Sequence, residues 1–191
     1  MKAQEKIEKQ RMNLSAWLFA SCQSDYNHGM FGSPIKDVDR LTYRLATPAD
    51  VDALVDLRAA FLAEVSTAAL PKEVLRAALT AYFVNALPSR EFVAYVALVG
   101  DRIVATSGLV YHRGPPSVQN LHGCEAYVMN MYTRPEWRAR GIATALLNRL
   151  VEHARQNNCC RVSLHALPKA RAIYSKSGFA ANDTEMRLEL Q

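Results

Sequence analysis

Four cysteines stand in 191 residues, and they form no framework. Cys22 and Cys124 are isolated, Cys159 and Cys160 are adjacent, and no C-x-x-C occurs. That spacing excludes a disulfide-stapled secreted scaffold and points to reduced, mostly buried thiols in a cytoplasmic protein. The five histidines have no H-x-x-x-H pair, so no metal site is expected. No apolar run reaches the ~20 residues of a membrane span, so no membrane partner is expected either. Neither G-x-x-x-x-G-K-[ST] nor G-x-G-x-x-G is present, which removes the P-loop and the dinucleotide fingerprint. Aromatic residues are 8% of the chain and do not alternate with basic ones, as a stacking platform for nucleic acid requires.

What is present is an apolar half, enough for one domain with its own core. The formal charge of +5 is unevenly placed. Residues 134–176 hold nine Arg and Lys against two Glu, and the remainder is slightly acidic. Such a block is either a solvated helix face or a field for a polyanionic ligand.

The stretch Tyr127–Glu152 organises the chain. A run able to be a strand, Tyr127–Thr133, meets a turn at Arg134–Trp137 and the loop Arg138-Ala139-Arg140-Gly141-Ile142-Ala143. Ile142, Leu146, Leu147, Leu150, Val151 and Ala154 then recur on one face of a 3.6-residue period. A glycine-containing basic loop therefore links a strand to a helix N-terminus. Free backbone N–H groups and the helix dipole make such a junction a ready phosphate site. Gly141 lets backbone approach a ligand, and Arg138 and Arg140 can add charge-assisted contacts.

Residues 1–40 read as an N-terminal extension, partly disordered, with a short apolar patch at Asn13–Cys22. A basic start before that patch imitates an export signal, but the patch is short and Glu5 and Glu8 precede it. The compact domain is expected over residues 41–191. Leu41–Ala46 is a candidate strand, and Thr47-Pro48-Ala49-Asp50 is a helix start with Thr as N-cap. Pro71 opens a second helix and Pro88 closes it. Glu91–Val99 and Arg102–Val110 form a hairpin turning at Gly100-Asp101. Cys124–Thr133 is the next strand. After the Gly141–Asn157 helix, Cys160, Val162, Leu164 and Ala166 alternate as a strand. Lys169–Ser177 is a short helix ending at Gly178, and Thr184–Leu190 alternates as a last strand. The order is β-α-α-β-β-β-α-β-α-β, a mixed α/β or α+β plan.

Two motifs in this order carry a resemblance. The R-x-x-G-x-A of Arg138–Ala143 resembles motif A of the GNAT superfamily of N-acetyltransferases, whose loop grips the pyrophosphate of acetyl-CoA. Lys169–Phe179, with Ile173, Tyr174, Gly178 and Phe179, resembles motif B of the same superfamily. Many relatives carry Asn where this chain has Leu167. Pro115-Pro116-Ser117, Asn120 and Asn130-Met131-Tyr132-Thr133 look like a bacterial subgroup of largely unassigned substrate. The resemblance covers Leu41–Gln191 and implies the GNAT fold, a mixed central sheet with splayed strands. The pantetheine arm would lie in the splay as an added strand.

The resemblance implies acetyl-CoA as cosubstrate, no metal, and contacts from Met131, Tyr132, Thr133, Arg138, Ala139, Arg140, Gly141, Ile142, Ala143 and Thr144. The Met131 N–H becomes the oxyanion donor. Tyr174 becomes the acid for the leaving thiolate, or else only packs its ring on the cosubstrate. Glu125, read as sharing a strand face with Tyr127, Met129 and Met131, is a candidate base through water, or a solvated strand-end carboxylate. His112, His122 and His165 are further bases or surface residues. Tyr82, Tyr111 and Asn120 are candidates for the acceptor cleft. The expected activity is transfer of acetyl to a primary amine of a small molecule or peptide, and a homodimer is left open. The alternatives are a catalytically silent acyl-CoA-binding or interaction module and, less in keeping with the aromatics, a basic nucleic-acid binder.

Overall fold

A computed structural model describes residues 41–66 and 70–182, with positions 186 and 188. The extension expected over residues 1–40, and most of the strand expected from Thr184 to Leu190, lie outside the described residues. The elements are β1 (Leu41–Leu45), α1 (Val51–Val65), α2 (Lys72–Ser89), β2 (Phe92–Val99), β3 (Arg102–Arg113), β4 (Cys124–Thr133), α3 (Ile142–Gln156), β5 (Arg161–Ser163) and α4 (Arg171–Lys176). As far as α4 this is the order the sequence predicts. One five-stranded sheet runs β1-β2-β3-β4-β5; the first four strands are antiparallel and β5 lies parallel to β4. The parallel pair requires a crossover, and α3 supplies it.

The alternation of apolar residues sets the two faces of the sheet. On one face Leu54, Val55 and Leu57 of α1 and Phe83 and Ala86 of α2 pack on Phe92, Ala94, Val96 and Tyr132. On the other, Ile142 and Leu146 of α3 pack on Ala97, Val104 and Ala105. Leu147, Leu150 and Ala154 pack there on Leu109, Ala126 and Val128, with Ile173, Tyr174 and Phe179 beside them. The stripe read from the α3 sequence is the buried one. Each of its large side chains contributes about 1.5–3 kcal/mol relative to exposure.

Three local expectations are corrected. Pro88 does not close α2 but sits inside its last turn, and the helix ends one residue on at Ser89, with Arg90 beyond it at φ +59. The strand expected over Cys160–Ala166 pairs only at Arg161–Ser163. Cys124 is buried with its thiol 2.8 Å from that of Cys159, but Cys160 is exposed. Burial, then the Cys124 contact, pushes the Cys159 thiol up to about 12.

The turn before α1 gives a prediction. The Asp50 carboxylate accepts from the Thr47 N–H (2.7 Å) and hydroxyl (3.0 Å), and from the Arg44 fork at 2.6 and 2.8 Å. Arg44, opposed by burial, brings Asp50 down to about 2 from its ordinary 3.8. A depressed carboxylate stabilises the fold above its unfolded value and loses that contribution as pH falls through its folded value. Wild-type stability should therefore drop by about 1–2 kcal/mol between pH 4 and pH 2, moderated because Arg44 is half-exposed. In Asp50→Asn that segment of a denaturant-unfolding profile against pH should be flatter. An unchanged slope would assign the acid sensitivity to other carboxylates.

Candidate active site

β4 positions the site. Its pairing with β5 is Glu125–Arg161, Ala126–Val162 and Tyr127–Ser163, and there it stops. From Val128 to Thr133 β4 continues with no strand on that side among the described residues. A gap therefore opens between two parallel strands, presenting backbone groups of β4.

A bulge lies within this free length. The β3 register passes from Gly108–Met129 to Thr106–Tyr132, so Ser107 faces both Asn130 and Met131. Asn130 takes φ +58, a left-handed conformation that Asn tolerates better than other side-chain-bearing residues. Residues held this way cost about 1–3 kcal/mol and cluster at functional sites. Two buried oxygens at the bulge, Asn130 Oδ1 and Ser107 Oγ, have no hydrogen-bond partner among the described residues. The bulge also inverts the strand. Met129 joins the α1–α2 face and Met131 the α3–α4 face. The expectation that Glu125, Tyr127, Met129 and Met131 share one face thus fails at Met131, because the extra residue shifts the period of two.

The loop after β4 is where the sequence suggests an anion site. Ala139 and Gly141 both have positive φ, +59 and +75, on either side of Arg140. Alternation of this kind turns successive N–H groups to one side as a nest. Among the described residues the N–H groups of residues 139–144 donate to no backbone carbonyl, and the first helical bond is from Ala145 to Gly141 at 3.0 Å. Among the described residues no side chain caps α3. A Cβ built on Gly141 meets nothing within 4 Å, so the space over the loop is open.

The loop's two arginines are already held. Arg138 Nη2 donates to both Glu64 carboxylate oxygens at 2.6 and 2.9 Å, and its Nε to the Thr133 carbonyl at 2.9 Å. The Tyr132 hydroxyl also donates to Glu64, at 2.8 Å. Arg140 stacks 4.6 Å over the Trp137 ring and donates to the Glu136 carbonyl at 3.1 Å. Glu64 was not singled out in the sequence, where no local signal marks a partner 74 residues away.

Tyr174 reaches β4 from α4. Its hydroxyl donates to Met131 Sδ at 3.4 Å, and its ring stands edge-on to Phe179 at 6.0 Å. Burial, and then the nearness of Tyr127, raises its ionisation above that of an ordinary phenol. Tyr127 sits at the last β4–β5 pair, where its hydroxyl and His165 Nδ1 share a hydrogen bond of 2.5 Å. His112 lies edge-on to Tyr127 at 6.3 Å. Met131, Tyr174 and the loop are thus brought to one end of β4, with Tyr127 and His165 at the start of the gap. Glu125 is not brought to them. It is ion-paired to Arg161 at 3.2 Å, six residues from Met131, or about 20 Å along a strand. His122 stays in the exposed loop after β3, and Leu167 is exposed before α4.

A mixed sheet whose parallel strands part beside an uncapped helix N-terminus leaves backbone donors free at the strand edge and at the helix start. Residues 56–179 match the acetyltransferase (GNAT) family, and this chain belongs to it. A predicted acetyltransferase from Clostridium acetobutylicum, solved with acetyl-CoA, is 34% identical. It superposes over 78% of this chain and 96% of its own with a TM-score of 0.71. A GCN5-related N-acetyltransferase from Ralstonia eutropha, 23% identical, shares the fold over 78% and 98% of the two chains with a TM-score of 0.71. Among curated proteins, glucosamine 6-phosphate N-acetyltransferase of Trypanosoma brucei brucei is 33% identical over 89 residues, 47% of this chain and 58% of that one. A probable glucosamine 6-phosphate N-acetyltransferase 2 of Oryza sativa subsp. japonica is 37% identical over 88 residues, 46% and 51% of the respective chains. The chain thus spans little more than half the length of these two curated relatives.

Proposed function

We propose that this protein transfers acetyl from acetyl-CoA to a primary amine of a small molecule, by direct attack of the amine on the thioester. The observation that carries the reading is the junction at one end of β4. A strand freed of its neighbour, a bulge, a loop of unpartnered N–H groups and a buried phenol meet there. In this reading the pantetheine arm pairs with the free edge of β4, including Met131, Tyr132 and Thr133, as an added strand. The N–H groups of residues 139–144 receive the pyrophosphate at the start of α3. Arg140, held among the described residues by a ring and one carbonyl, turns toward phosphate most readily. Arg138 shapes the loop through Glu64.

The amine attacks as free base, charge develops on the thioester oxygen, and the departing thiolate needs a proton. Met131 has no partner in the β3–β4 register, which suits its N–H to the developing oxyanion. Tyr174 stays protonated at neutral pH and supplies the proton to sulfur. Tyr127 and His165, at the opening of the gap, are better sited than Glu125 to take the proton from the amine. The curated relatives named for glucosamine 6-phosphate support a small amine as acceptor. Residues 41–191 are read as the transferase domain and residues 1–40 as an extension outside it.

The test is turnover of acetyl-CoA across a panel of amines, read as released thiol. Thiol release that depends on one class of amine supports the reading. Tight acetyl-CoA binding with no turnover on any amine would instead favour a silent acyl-CoA-binding module.

A further inference from the structure

A cavity of about 430 Å3 lies at the opposite end of β4 from the anion-binding loop, within the volume range of small-molecule sites. Its walls come from the end of β3, the loop that follows, the start of β4 and the residues leading into β5. The loop is braced from within. The Gly114 N–H donates to the Gly123 carbonyl at 2.8 Å, and Ser117 and Asn120 exchange backbone bonds of 3.0 and 3.1 Å. The Asn120 side chain donates to the Cys124 carbonyl and accepts from the Cys124 N–H, both at 3.3 Å. Gly123 has φ +60, and a Cβ there would stand 2.1 Å from the Gly114 carbonyl oxygen, so only glycine closes the loop this way. Such bracing pre-forms the cavity and lowers the ordering cost of filling it.

The lining holds two arginines, Arg113 and Arg161, against the single carboxylate of Glu125, with His112 beside them. Arg161 and Glu125 pair with each other at 3.2 Å. Arg113 then has no carboxylate partner among the described residues. The cavity also leads to the proposed site of chemistry. Glu125 and Tyr127 lie on one face of β4, His112 stands across the ladder from Glu125, and its ring touches that of Tyr127. The β4–β5 gap opens just past Tyr127, two strand residues or about 7 Å from Glu125.

We propose that this cavity is the acceptor pocket and that it takes the phosphate group of a small phosphorylated amine. Arg113 is the principal phosphate contact, and the amine lies beside Tyr127 and His165, three strand residues or about 10 Å along β4 from Cys124, the residue opposite Arg113. This rests on the transferase reading above and names the substrate class of that site.

The test reads binding without turnover. Full-length protein saturated with CoA is titrated calorimetrically with glucosamine 6-phosphate, with glucosamine, and with inorganic phosphate as competitor. The phosphorylated amine should bind about tenfold or more tightly than glucosamine, and phosphate should compete. Arg113→Gln should abolish that preference while CoA affinity and thermal stability stay native, and Arg113→Lys should restore part of it. In turnover, Arg113→Gln should raise KM more than it lowers kcat, as loss of uniform binding does. Equal binding of the two amines to wild type, or an undiminished preference in Arg113→Gln, would overturn the proposal. A preference lost in Arg113→Gln, with no acetyl transfer to any amine, would sink the transferase reading and leave the phosphate pocket standing.

Discussion

Tyr174→Phe is expected to lower the single-turnover rate of acetyl transfer by about 10²–10⁴, with CoA affinity close to native. The substitution keeps the ring that packs on Phe179 and removes only the hydroxyl that now rests 3.4 Å from Met131 Sδ. A hydroxyl–thioether contact is weak, so stability should change by less than about 1 kcal/mol. The loss falls on the transition state, where the leaving sulfur needs a proton, and not on the bound ground state. Burial raises the Tyr174 ionisation, so under the proposed mechanism the acid persists through neutral pH and is lost only on the alkaline side. The Phe variant should lack that alkaline limb. Single-turnover rates are the measurement to use, since slow product release would mask the change in kcat. A variant with the wild-type rate on its true acceptor would make Tyr174 a packing residue and leave the thiolate to be protonated by water.

Gly141→Val should weaken CoA binding by about 100-fold, the equivalent of two lost charge-assisted hydrogen bonds. Two effects combine. At φ +75 a β-branched residue is strained by about 1–2 kcal/mol. Its side chain also enters the open space over the loop, where a ligand phosphate must approach the N–H groups of residues 139–144. Gly141→Ala separates the two, because its single methyl meets nothing within 4 Å and carries mainly the strain. The Ala variant should show a lower melting temperature with a smaller affinity loss, and the Val variant should add obstruction. Calorimetric CoA titrations beside circular dichroism read both. Native affinity in a natively folded Val variant would remove this loop from the binding site.

Several parts of this protein were legible because their causes are local. The stripe from Ile142 to Ala154 repeats at the helical period, and the core claims those residues. Gly100-Asp101 turns the hairpin, and Gly178 ends α4 at φ +89. Thr47 and Asp50 bond each other at the entrance to α1, three residues apart. The junction behind the expected anion site was legible because a strand, a glycine and an uncapped helix follow one another along the chain.

What escaped depends on contacts between distant segments. The bulge at Asn130 exists only in register with Ser107, and it sends Met131 to the opposite face from Met129, which no period-two reading foresees. A signal was there, since Asn is rare inside a strand and tolerates the left-handed region. Glu64 meets Arg138 because α1 packs on the sheet face behind β4, and nothing in either neighbourhood marks the other. Glu125 keeps its place on the strand, but Arg161 takes its charge and strand length separates it from Tyr174. The cavity gathers residues from three strands and two loops. By itself the sequence determined the elements as far as α4, their order and the strand–glycine–helix junction, because periodicity, caps and turn residues act over a few positions. Only the tertiary structure decided which side chains face the gap and which charges cancel, because strand register and helix docking set those distances.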